Sequence, residues 1–163
     1  MAIRKVIARF DGKYEFLSNF YNTDVKMLVN GKPRTFKNSE AAFQAIKCAN
    51  DSDVEQFTTM APGPAKRLGK KVLMRSDWET VKDGVMHDVL VAEFTQNKEL
   101  AEKLIETGDA ILIEGNNWHD NYWGVCICDD CAENKDQSNS NHLGDALMMV
   151  REELKSGVIK VND

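Results

Sequence analysis

The sequence predicts an α+β fold in a single domain, predominantly helical, with a small N-terminal antiparallel sheet or hairpin packed on several helices. Three observations carry this expectation. Short β-branched runs near the N-terminus enclose an Asn30-Gly31 dipeptide, and apolar residues then recur at helical spacing through the rest of the chain. No internal repeat or composition break marks a linker within 163 residues, close to one average domain length.

Strands are expected at Val6 to Phe10, Val25 to Val29 and Arg34 to Phe36. Asn30-Gly31 lies between the last two and supplies the positive φ of a type I′ hairpin turn. Phe16-Leu17-Ser18-Asn19-Phe20-Tyr21 does not alternate cleanly and reads as a structured loop. A helix runs from Ser39 to Ala49, with Asn38 or Ser39 as its N-cap. A short one opens at Gly63-Pro64-Ala65, where Pro64 suits the first helical position. The longest spans Asp77 to Phe94, with Trp78, Val81, Val85, Val89 and Phe94 at helical spacing. Gly84 in its middle costs ~1 kcal/mol relative to Ala. Another helix, Lys98 to Glu106, stops at Thr107-Gly108. Ala110 to Glu114 is a buried strand, and the final helix covers Leu143 to Leu154. No element is assigned between Asn116 and Asn141, and the polar run Glu133 to Asn141 is expected to be a mobile loop.

Composition narrows the function. A hydrophobic content of 42% is enough for a core and excludes disorder of the bulk. No apolar run approaches the roughly 18 to 20 residues of a membrane-spanning helix. Met1 to Lys5 is not followed by a secretory apolar region, so a cytoplasmic protein is expected. With 21 basic and 26 acidic residues the net charge is −5, so no extended nucleic-acid surface is expected and phosphate binding must be local.

The first helix carries the sharpest chemical pattern. Ala41, Ala42, Ala45, Ile46 and Ala49 make most of its circumference small or apolar, whereas Glu40, Gln44 and Lys47 interrupt it. Glu40 and Lys47 share one face, separated by ~10.5 Å along the axis, with Gln44 between them. On a solvated face this is an ordinary wet edge. In a cleft, Glu40 suits proton transfer and a desolvated Lys47 becomes nucleophilic. A second group, Trp118-His119-Asp120-Asn121-Tyr122-Trp123, offers rings for stacking beside a carboxylate; the alternative is an aromatic cluster at the core edge with a turn-forming Asp-Asn pair. A third, Lys66, Arg67, Lys70, Lys71 and Arg75, lies near an expected helix start and is either a phosphate site or a solvated basic face.

Four cysteines fit a reducing compartment. Cys126-x-Cys128-x-x-Cys131 supplies three thiolates, and His119 or His142 could complete a tetrahedral zinc site. There is no second Cys-x-x-Cys pair and no fixed His spacing, so reduced free thiols are the preferred reading and structural zinc the alternative.

Several segments occur together in a recognisable order: Phe16-Leu17-Ser18-Asn19-Phe20-Tyr21, Ser39-Glu40-x-x-Phe43-Gln44-x-x-Lys47, Ala65-Lys66-x-Leu68-Gly69, Arg75-x-Asp77-Trp78, Asp120-x-Tyr122-Trp123-Gly124 and Asn141-x-Leu143-Gly144-x-x-Leu147-Met148. From about Asp11 to Arg151 the chain resembles the NADAR family of YbiA-like N-glycosidases. The resemblance implies hydrolysis of an N-glycosidic C1′–N bond, without metal or cofactor. The substrate would be a phosphorylated ribosylaminopyrimidine of riboflavin synthesis or an ADP-ribosylated guanine base. It further implies a Schiff base between Lys47 and C1′, with Glu40, Asp120 and Trp78 also in the catalytic set. Asn19, Tyr21, Gln44, Lys66, Arg75, Tyr122, Trp123 and Asn141 are the expected substrate-binding residues. Two rival classes make different demands: a non-catalytic ADP-ribose or nucleotide-binding module would use Lys47 only as an ion-pair partner, and a zinc-stapled interaction protein would hold stoichiometric metal.

Overall fold

The structure, a computed structural model, describes residues 3–134 and 139–163. In chain order its elements are β1 (Val6–Ile7), a 3-10 helix (Gly12–Leu17), β2 (Val25–Val29), β3 (Lys32–Phe36), α1 (Ser39–Lys47), α2 (Asp51–Gln56) and a 3-10 turn (Phe57–Thr59). There follow α3 (Pro62–Gly69), α4 (Trp78–Thr95), α5 (Lys98–Glu106), β4 (Ile111–Leu112), β5 (Gly115–Asn116), β6 (Val125–Cys126), α6 (Asp129–Glu133) and α7 (His142–Ser156). Mostly helical with small sheets, the chain has the expected α+β character. Its described residues group into two compact units, one of residues up to Ser18 with Glu99–Val158, the other of Asn19–Lys98 with Ile159–Asp163.

In the unit built on Asn19–Lys98, β2 and β3 form the expected antiparallel hairpin, with Val25 opposite Phe36 and Val29 opposite Lys32. Asn30 and Gly31 turn the corner with φ of 53° and 75°, the pair of positive values that a type I′ turn requires. Val25, Val29 and Phe36 are buried, and β2 lies against α4. Arg34, also buried, reaches from β3 to Asp51 and Glu55 of α2, and Lys32 and Asn30 join it on Asp51. These donors hold the Asp51 carboxyl well below the usual carboxylate range, Arg34 having the largest effect. Helix α1 packs on α3 and α4. Its N-cap is Asn38, whose Oδ1 accepts from Ala41 N at 2.7 Å.

Beneath the start of α1, Ser39 Oγ donates to Glu93 Oε2 of α4 at 2.9 Å. Glu93 is 2% exposed, and burial pushes its carboxyl up to about 8, against the Ser39 hydrogen bond that lowers it. The unfolded chain releases this proton near 4.5, so between the two values the folded state binds the extra proton and stability falls as pH rises. Glu93→Gln is expected to flatten that slope: in urea unfolding at pH 5 and pH 8, the wild type should lose a few kcal/mol (order of magnitude) more than the variant.

In the other unit, β1 pairs in parallel with β4, Val6 with Ile111 and Ile7 with Leu112, and α7 packs against β4. Phe16, Leu17, Leu100, Leu104, Leu112, Leu143, Leu147 and Val150 are buried in it. A Cβ at Gly144 would meet the Leu112 carbonyl oxygen at 2.1 Å, so the absence of a side chain there lets α7 approach β4. β5 and β6 form a second parallel pair, Gly115 with Val125 and Asn116 with Cys126.

Several expectations are corrected. The first helical position of α3 is Pro62, not Pro64, because the chain is already extended at Ala61 and turns helical one residue later. Strands expected at Val6 to Phe10 and Ala110 to Glu114 pair over two residues each. The expected loop Phe16 to Tyr21 begins inside the 3-10 helix. Between Asn116 and Asn141, where no element was expected, β6 and α6 form. Of the polar run Glu133 to Asn141, residues 135–138 lie outside the described residues. Among the described residues no helix is long and apolar enough to cross a membrane.

Candidate active site

Helix α1 turns its polar stripe inward. Glu40 and Gln44 are 8% and 9% exposed, and Lys47 is half-buried, which decides against a wet edge. Phe43 shares that face by its spacing of three and four residues, and Trp78, at the first turn of α4, packs on it with ring centroids 5.0 Å apart at 56°. Gln44 Nε2 donates to Glu40 Oε1 at 3.0 Å, fixing the carboxylate from one side. Lys47 Nζ donates to the Gly69 carbonyl at 2.7 Å, at the end of α3. Desolvation lowers the Lys47 ammonium below the ordinary lysine value, while the charges of Cys48, Glu40 and Glu79 act against that fall. A half-buried amine held by one neutral carbonyl therefore gives up its proton more readily than a surface lysine.

The backbone fixes this stripe at both ends. At the N-terminal end Glu40 N donates to the Asn19 carbonyl at 3.1 Å, laying the loop around Asn19 over the first turn of α1. At the C-terminal end Arg75 N donates to Lys47 O at 2.9 Å, and Ala49 N to Leu73 O at 2.8 Å. Two buried acceptors nearby, Gln44 Oε1 and Asn19 Oδ1, have no hydrogen-bond partner in the protein. Unpaired buried acceptors are uncommon and costly.

Gly69 closes the Ala65-Lys66-x-Leu68-Gly69 segment without a role assigned from the sequence, and its position is restrictive. A Cβ there would meet Gln44 Oε1 at 2.0 Å and Gln44 Cδ at 2.5 Å. The close approach of α3 to α1 that this glycine permits also brings its carbonyl to Lys47.

Other expected residues of this unit differ in engagement. Arg75 is committed to Asp77, Nε to Oδ1 at 2.6 Å and Nη2 to Oδ2 at 2.9 Å. Lys66 Nζ lies 5.8 Å from the Phe20 ring centroid, and Tyr21 is half-buried. Lys66 and Arg67 occupy the last turns of α3 rather than its start, where the carbonyl end of the helix favours cations; the expected helix-start phosphate site is not formed by them.

Asp120, Tyr122, Trp123 and Asn141 belong to the other unit. Asp120 Oδ1 accepts from Tyr122 N at 3.2 Å and Trp123 N at 2.9 Å, so the turn-forming reading of Asp120 holds for that oxygen. Asn116, fully buried, supports the same turn: its Nδ2 donates to Asp120 O and its Oδ1 accepts from Asp120 N. Tyr122 packs on Trp123 and on His142, at centroid distances of 4.9 Å and 4.3 Å. Asn141 adopts φ 51° and spends its amide on backbone, Oδ1 accepting from Glu114 N and Nδ2 donating to Leu112 O. It braces the strand end.

In the same unit His119, Cys126, Cys128 and Cys131 direct their ligand atoms to one point, all within 4.8 Å of one another. His142, the other histidine considered from the sequence, is instead stacked on Tyr122.

The NADAR domain model matches residues 8–155, and the chain belongs to that family. It is 36% identical over 144 residues to the N-glycosidase YbiA of Escherichia coli, covering 86% of this chain and 82% of that protein. It is 33% identical over 149 residues to a riboflavin biosynthesis protein of Vibrio vulnificus, covering 89% of this chain but 37% of that longer one. The solution NMR structure of E. coli YbiA superimposes with a TM-score of 0.76 at 31% identity, over 96% of this chain and 89% of that one.

Proposed function

We propose that this protein is an N-glycosidase that hydrolyses the C1′–N bond of a phosphorylated ribosyl compound through a Schiff base on Lys47. The observation that carries the proposal is the inward stripe of α1, where a half-buried amine of lowered basicity shares a helix face with a buried carboxylate. The relatives named as N-glycosidases supply the reaction class. The name of the Vibrio relative favours a ribosylaminopyrimidine phosphate over an ADP-ribosylated guanine, as does a net charge of −5.

Neutral Lys47 Nζ bonds to C1′ while the C1′–N bond breaks, the departing nitrogen keeping the electron pair and taking a proton. Nζ then yields a proton to Glu40, and its lone pair expels the ring oxygen, which takes that proton from Glu40 as the ring opens. Water adds to the resulting C1′=Nζ iminium, and Nζ departs as the free amine with release of the sugar. Trp78 walls the site beside Phe43, while Gln44 Nε2 holds the Glu40 carboxylate. Asp120 orders the turn carrying Tyr122 and Trp123 through its Oδ1.

Gly69 is a positioning residue in this account. Gly69→Ala would push the Gln44 amide off Glu40, and kcat should fall about 10- to 100-fold with the far-ultraviolet circular dichroism unchanged. The proposal is tested by incubating the purified protein separately with a ribosylaminopyrimidine phosphate and with an ADP-ribosylated guanine oligonucleotide, following the freed base by chromatography. Release from the first is expected. Tight binding of either without release would instead favour the non-catalytic module.

A further inference from the structure

We propose that His119, Cys126, Cys128 and Cys131 form a structural zinc site that staples the turn carrying Asp120, Tyr122 and Trp123. A tetrahedron with Zn–S of about 2.3 Å and Zn–N of about 2.0 Å has N···S edges of about 3.5 Å. His119 Nδ1 lies 3.2 Å from Cys131 Sγ, 3.4 Å from Cys128 Sγ and 4.0 Å from Cys126 Sγ. Hydrogen bonding cannot account for that convergence, because one ring nitrogen offers a single N–H or a single lone pair and so serves one sulfur of the three. One cation at the centre serves all four groups.

The surroundings of the sulfurs point the same way. Each accepts an N–H: Cys126 from His119 N at 3.3 Å, Cys128 from Cys131 N at 3.4 Å, and Cys131 from Asn121 Nδ2 at 3.6 Å. Three acceptor sulfurs with outer donors are what metal-bound thiolates require. Cys48, remote in sequence, behaves oppositely and donates its S–H to the Gln44 carbonyl at 3.5 Å. His119 adopts φ 67°, in the left-handed region uncommon for residues other than glycine, and this turn places its Nδ1 beside the sulfurs. Four protein ligands close the coordination sphere, so this zinc would hold structure rather than activate water.

Cobalt(II) is a direct probe. Reduced wild-type protein is expected to take up one equivalent of Co2+, with visible bands of a tetrahedral site and near-ultraviolet thiolate charge transfer, both displaced by zinc. In Cys128→Ser a hydroxyl oxygen replaces the sulfur that caps α6, so α6 should persist while charge transfer drops and metal affinity falls about tenfold or more. His119→Asn, which tolerates positive φ, should likewise weaken binding, and Cys48→Ala should leave the spectrum unchanged. Absence of tetrahedral thiolate bands in the wild type, or an unchanged spectrum and affinity in Cys128→Ser, would overturn the proposal.

Discussion

Lys47→Arg is expected to reduce turnover about a thousandfold or more while leaving the fold intact. The guanidinium keeps the positive charge and can still donate to a carbonyl such as that of Gly69, but it does not deprotonate at any working pH and forms no imine with C1′. This substitution separates two roles. A lysine that only neutralises a phosphate would be replaced by arginine with modest loss of affinity, whereas a nucleophile would not be replaced at all. The wild-type kcat/KM profile should rise with pH as Nζ loses its proton, and because burial destabilises the ammonium, the midpoint should lie below the ordinary lysine value of 10.5.

Glu40→Gln should lower kcat about 100- to 1000-fold with a much smaller change in KM, since its proton transfer matters chiefly in the transition state. It should also move the rising limb of the pH profile to lower pH. The Glu40 charge favours the Lys47 ammonium, so removing it makes Nζ easier to deprotonate. A variant with reduced kcat and an unshifted limb would show that the two groups are not electrostatically linked, contrary to the shared face of α1.

Much of the scaffold was legible because local chemistry dictated it. Asn30-Gly31 could hardly do anything but reverse the chain between β-branched runs, and Asn38 offered the cap that α1 uses. The stripe of Glu40, Gln44 and Lys47 was visible as polar residues breaking an apolar helix, although only the fold revealed that it faces inward. What escaped depends on contacts distant in sequence. Nothing around Gly69 announces that its missing side chain makes room for the Gln44 amide, 25 residues earlier. α2, Asp-Ser-Asp-Val-Glu-Gln, lacks an apolar stripe and is held by Arg34 from the hairpin. Lys66 and Arg67 fall in the last turn of α3 because Pro62 and Pro64 both suit a helix start, and the earlier one prevails. His119 could not be preferred to His142 by spacing, since its ring is aimed by a left-handed backbone turn.

The most direct measurement traps the covalent intermediate. During turnover of a ribosylaminopyrimidine phosphate, borohydride would reduce the iminium to a stable secondary amine, and peptide mass spectrometry would locate it. A ribosyl phosphate adduct on Lys47 is expected, forming with loss of activity and absent from Lys47→Arg. Continued turnover in borohydride with an unmodified Lys47, or an adduct on a different lysine, would contradict it.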